Sequence, residues 1–114
     1  MYKKTMPEGP RESCGVVGIF GSAGAAPLIY RGLFALQHRG QEGAGIAVSD
    51  GSRVASHKGH GLVSAVFDPE TLSGLRGHLG IGHVRYSTTG STRIQNVQPL
   101  VVECVDGIWA VAHN

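Results

Sequence analysis

Cys14-Gly-Val-Val-Gly-Ile-Phe-Gly21 is a short apolar run set between glycines, and it reads as a buried β-strand. Before it lies MYKKTMPEGPRES, residues 1–13, which is charged, carries two prolines and lacks the apolar stretch of a signal peptide. Order is therefore expected to begin abruptly at Ser13-Cys14. Beyond the strand, Pro27 suits the first turn of a helix, with Leu28, Ile29, Leu33, Phe34 and Leu36 on one apolar face. His38-Arg39-Gly40 offers basic side chains and a glycine to end that helix. Gly45–Ser49 reads as a strand, Asp50-Gly51 as a hairpin turn and Arg53–His57 as the returning strand. Asp68-Pro69 can open a short helix, Gly80–Tyr86 reads as a further strand and Ser87–Thr92 as a loop. Leu100–Cys104, Asp106-Gly107 and Ile108–Ala112 form a second hairpin. This order predicts an α+β domain with a mainly antiparallel sheet.

The 114 residues suffice for one small domain with a core. A formal net charge of +2, with basic residues scattered apart from Lys3-Lys4, gives no footprint for nucleic acid or a membrane surface. Glycine is the outlier: 18 residues, roughly twice the usual frequency of about 7%. These glycines interrupt apolar runs, as expected where backbone turns or approaches a ligand closely. Cys14 and Cys104 are too few for a disulfide scaffold, so a reduced, cytoplasmic location is expected. The sequence stops within the strand-like run Ile108–Asn114, which suggests a fragment of something longer.

Three places can carry chemistry, and each also has a plain structural reading. Cys14 can be a small buried hydrophobe. If the leader is cut before it, however, Cys14 carries both a thiol and a free α-amine. With a reference pKa of about 7.7–8.0, that amine is partly neutral and can accept the thiol proton. Arg85 can cap its sheet, or it can meet a carboxylate through its fork, with hydroxyls of the following loop beside it. Asn114, after His113, can be a turn residue or can donate to a developing oxyanion, worth roughly 3 kcal/mol. His57 and His60 have metal-like spacing but no acidic partners nearby, so no metal site is expected. Cys104 reads as structural. The glycines fit neither a P-loop nor a dinucleotide fingerprint.

Read singly, each residue favours its structural role, but the ordered set is specific. Cys14–Gly21, Leu36-Gln-His-Arg-Gly-Gln-Glu-Gly-Ala-Gly-Ile46, Gly61–Phe67, Gly80-Ile-Gly-His-Val-Arg-Tyr-Ser-Thr-Thr-Gly90, Gln98-Pro99 and Ala112-His-Asn114 follow one another as in a known family. The chain resembles the class II glutamine amidotransferases, and among them the amidophosphoribosyltransferases, over nearly everything from Cys14 to Asn114. The resemblance implies an N-terminal-nucleophile hydrolase fold, a four-layer αββα sandwich, incomplete in so short a chain. It implies that residues 1–13 are a propeptide removed autocatalytically, and that 14–114 begin the amidotransferase domain. By position, Cys14 matches the nucleophile that forms a glutamyl thioester, and Asn114 the oxyanion-hole residue. Arg85 matches the group binding the α-carboxylate of L-glutamine, and Thr88 its neighbour in the substrate loop. Arg39 matches a supporting arginine near the nucleophile.

In the family, released ammonia attacks phosphoribosyl pyrophosphate in a separate domain to give 5-phosphoribosylamine, the first step of de novo purine synthesis. The resemblance therefore also implies Mg2+ with phosphoribosyl pyrophosphate, a [4Fe–4S] cluster in propeptide-bearing members, and a homo-oligomer. No cofactor is expected to rest on residues of this segment. The glycine expected after Asn114, the later aspartate for the glutamine amine and the phosphoribosyl domain are missing from the sequence. The 114 residues alone are thus expected neither to fold stably nor to turn over. Glucosamine-6-phosphate synthase is a second reading within the same chemistry, although its usual motif differs at Gln37–Gln41. A non-catalytic glycine-rich binding module is a third, and it leaves the ordered motifs unexplained.

Overall fold

In the computed structural model, residues 14–38, 40–86 and 93–114 are described. Strand β1 (Gly15–Phe20) leads into helix α1 (Ala25–Leu36), then β2 (Gly43–Ser49) and β3 (Val54–His60). Two short helices follow, α2 (Val63–Val66) and α3 (Pro69–Gly74), before β4 (Leu79–Arg85). A 3-10 turn (Ile94–Asn96) precedes the hairpin β5 (Leu100–Cys104) and β6 (Gly107–Val111). The first four strands form one antiparallel sheet in the order β1-β4-β2-β3, and β5-β6 form a separate pair. The α+β reading holds. No helix is long and apolar enough to cross a membrane.

Alternation along the strands gives the large sheet two different faces. Ala44, Ile46 and Val48 of β2 and Val84 of β4 pack with Ala25, Ala26, Ile29 and Leu33 of α1 to make the core. Gly80 and Gly82 of β4 sit directly under Ile29 and Leu33, so α1 lies close to the central strand. On the other face stand Ile81, His83 and Arg85, alternating with Gly80, Gly82 and Val84. Hairpin β5-β6 reaches this far face, where Ile108 and Ala110 share a cavity of about 210 Å³ with Ala47, Val54, Leu79 and Ile81. The described residues thus give helices on one side of a sheet and a hairpin on the other. A second complete sheet and an outer helix layer, as the four-layer sandwich requires, are not among them.

Local chemistry explains where the elements end. Helix α1 begins two residues before Pro27 and stops at Leu36, without the basic last turn expected from His38-Arg39. The reason lies at Gln37, which turns to an extended conformation with its side-chain oxygen accepting the Val63 backbone N–H at 2.9 Å. The His38 N–H donates to the Tyr86 hydroxyl, which ties the chain to the end of β4. The apolar face is also narrower than the pattern predicts: Ile29 and Leu33 are buried, whereas Leu28, Phe34 and Leu36 are exposed. The first hairpin closes through Asp50, whose carboxylate accepts from the N–H groups of Ser52 and Arg53. Its loop therefore runs over four residues, 50–53, rather than two. Strand β3 then continues to His60, three residues beyond the expected end. Asp68 caps α3 by accepting from the Thr71 N–H, as expected, whereas α2 carries no sequence signal of its own.

Candidate functional site

One end of β4 gathers most of the candidate residues. Cys14 stands one residue before β1, partly buried. Its Sγ lies 3.4 Å from the Tyr86 backbone nitrogen, which donates to it, and 3.8 Å from the Tyr86 carbonyl oxygen. Arg85, the last residue of β4, is thus the immediate chain neighbour of the residue that holds the thiol. Its Nη1 donates to the Asn96 carbonyl at 3.3 Å, and its own carbonyl accepts from the Glu42 N–H. The ladder explains the placement: β1 and β4 pair from Gly15↔Val84 to Phe20↔Leu79, while Gly43 of β2 lies opposite Arg85.

The His113-Asn114 end comes to the same strand. His83 Nε2 lies 3.0 Å from the His113 carbonyl oxygen, and the His113 N–H donates to Gln98 Oε1 at 2.5 Å. Asn114 is exposed and follows directly. Arg39 and Thr88, the other two candidates, lie outside the described residues, as do residues 1–13 and the loop 87–92. Cys14, Arg85 and the residue before Asn114 are therefore all tied to residues 83–86.

No sequence signal marks His83, although it lies inside Gly80–Gly90. It is fully buried, and its Nδ1 has no partner among the described residues. Burial pushes its imidazole below the ordinary 6.5, the His113 carbonyl pulls the other way, and the positive charges of Arg85 and His113 lower it further. Gln98 enters the sequence motifs only as half of Gln98-Pro99, which is joined by a cis peptide bond. Gln41 is another: its side-chain nitrogen donates to the carbonyls of Gly43 and Gly61, both at 2.7 Å. Gln37, His38 and Gln41 thus tie the segment after α1 to its neighbours. Signals for these roles are absent from the sequence because each involves at least one partner distant in sequence.

Elsewhere, His57 is engaged as structure. Its ring stacks edge-on against Phe67 and its Nε2 lies 3.0 Å from the Val66 carbonyl. Among the described residues no group of three or more His, Cys, Asp or Glu stands together as metal ligands would. Cys104 is exposed at the end of β5.

Comparison with known proteins adds a family context. The chain is 56% identical over 109 residues to an amidophosphoribosyltransferase of Synechococcus elongatus, covering 95% of this chain and 22% of that protein. It is 53% identical to one of Methanothermobacter thermautotrophicus over 107 residues, covering 91% and 23%. Among solved structures, the glutamine phosphoribosylpyrophosphate amidotransferase of B. subtilis, complexed with ADP and GMP, superimposes with a TM-score of 0.78 at 48% identity. That match covers 87% of this chain and 21% of the other. No protein-family model matches. The chain spans about a fifth of the length of the curated relatives it matches.

Proposed function

Because the chain is homologous to the amidophosphoribosyltransferases over about a fifth of their length, we propose that it supplies the glutamine-cleaving half of that reaction, with Cys14 as nucleophile. Removal of residues 1–13 frees the Cys14 α-amine, which takes the thiol proton as sulfur attacks the side-chain amide carbon of L-glutamine. The tetrahedral adduct collapses to a glutamyl thioester as the C–N bond breaks, and the proton leaves with ammonia. Water then hydrolyses the thioester to glutamate and restores the thiol. Arg85 pairs with the substrate α-carboxylate, and Thr88 completes that contact. Asn114 donates to the oxyanion, and Arg39 supports the nucleophile's surroundings.

Ammonia is then consumed by phosphoribosyl pyrophosphate in parts of the protein beyond these 114 residues, giving 5-phosphoribosylamine and pyrophosphate. The αββα sandwich is the architecture in which this chemistry would operate, with β5-β6 as the start of its second sheet. Mg2+ with phosphoribosyl pyrophosphate and a [4Fe–4S] cluster would belong to those further parts; among the described residues no three His, Cys, Asp or Glu stand together.

The observation that carries this reading is the Cys14 thiol seated on the Tyr86 backbone beside Arg85, at the strand that also holds His113. Its test is peptide mass mapping of the complete gene product after exposure to diazo-oxo-norleucine, an alkylating glutamine analogue. An adduct on a Cys14 that is itself the first residue is the expected result. An uncut leader with unmodified Cys14 would exclude the mechanism and leave a binding module.

A further inference from the structure

Both backbone polar groups of His113 are held by side chains from distant parts of the chain. Its N–H donates to Gln98 Oε1, and its carbonyl faces His83 Nε2. A carbonyl offers no proton, so the imidazole proton sits on Nε2 and His83 is the donor. The peptide unit is planar, so the bond from His83 fixes the plane containing the Asn114 nitrogen and Cα. The bond from Gln98 fixes the peptide plane on the other side of His113. Together they set the direction in which Asn114 leaves the strand.

The two side chains are themselves anchored. His83 lies in β4, which is paired on both sides, by β1 and β2, and it is fully buried. The segment bearing Gln98 rests against β2 at Gly45, where any Cβ would collide with the Gln98 carbonyl. Lys58 of β3 donates to the Val97 carbonyl at 2.7 Å, and Arg85 holds the Asn96 carbonyl. Each bond of the clamp thus runs back to the large sheet.

We propose that Gln98 and His83 are positioning residues that aim Asn114 at the oxyanion formed during glutamine cleavage. This rests on the function proposed above. The clamp accounts for a fully buried histidine in the central part of the sheet, and for the site at Gly45 that admits no side chain. Neither residue touches substrate in this scheme, because both act through the His113 backbone.

The test is a double-mutant cycle on glutamine hydrolysis by the complete gene product. Gln98→Ala and His83→Phe are expected to lower kcat about 10- to 100-fold, with KM for glutamine changed by less than about twofold, as for loss of an oxyanion donor. Gln98→Glu keeps an acceptor oxygen and His83→Gln keeps a donor, so both should recover most of the rate. In an Asn114→Ala background, Gln98→Ala should cost less than about twofold more, because its partner's action is already gone. Iodoacetamide should alkylate Cys14 at the same rate in every variant. Full additivity with Asn114→Ala, or a raised KM at unchanged kcat, overturns the clamp. Hydrolysis that depends on Asn114 but not on Gln98 or His83 overturns the clamp alone. Absence of Cys14-dependent hydrolysis in the wild type overturns the underlying function as well.

Discussion

His83 shows how far a single side chain can be read from sequence. Its place inside Gly80–Gly90 is plain, but its partner lies 30 residues away and its burial depends on the whole sheet. Cys14 and Arg85 stand out as candidates because residue type and motif mark them, whereas a histidine that donates to a backbone carbonyl leaves no pattern. The same burial makes a pH prediction. In the unfolded chain His83 titrates near 6.5, and in the fold burial, Arg85 and His113 together hold it lower. The unfolded state then binds a proton that the native state does not. The stabilising contribution is full above about pH 6.5 and is lost as pH falls from there towards the folded value. Thermal melts of the complete gene product from about pH 7 to about pH 5 should show a falling midpoint, and His83→Gln should flatten that slope. An unchanged slope in the variant would mean that other groups control it.

Among the elements, the strands were the most legible because glycines and turn residues bound each apolar run. Asp50-Gly51 and Asp68-Pro69 mark a hairpin and a helix start through local hydrogen bonds that the sequence itself supplies. The end of α1 was not legible, because Gln37 answers to Val63, 26 residues on. The insertion of β4 between β1 and β2 was hidden for the same reason: pairing order is non-local. The contact between α1 and β4 is close-packed. At Gly82 an added methyl would meet Ile29 and would come within 3.0 Å of Leu33 Cδ1. Gly82→Ala should therefore destabilise by about 1–3 kcal/mol through overpacking. Leu33→Ala, at a fully buried position, should cost about 2–5 kcal/mol through the cavity it leaves. Urea unfolding of the two variants measures both, and a neutral Gly82→Ala would show that the helix can move away from the sheet.

Across the whole molecule, one face is finished and the other is not. The α1 side is closed by a contiguous core, whereas Phe20, Val102 and Trp109 are 84%, 50% and 59% exposed. So much exposed apolar surface favours association. The 114-residue polypeptide on its own, expected to be unstable alone, should gain order only by association: it should sediment as concentration-dependent oligomers, and Phe20→Lys with Trp109→Lys should shift it towards monomer. A wild-type monomer at all concentrations would show that these side chains collapse onto the chain itself. The sequence does not indicate which face is left bare, since that follows from the strand order.

The six-pair ladder between β1 and β4 has a further consequence. Cys14 and Arg85 sit at the ends of these two strands, so their spacing is gauged by backbone rungs and not by any loop. Lengthening the turn at residues 50–53 leaves that gauge untouched. One residue inserted before Arg85 within β4 would instead rotate its guanidinium to the α1 side. Variation at the 50–53 turn can thus accumulate without disturbing this spacing, while these two strands are held to a fixed count.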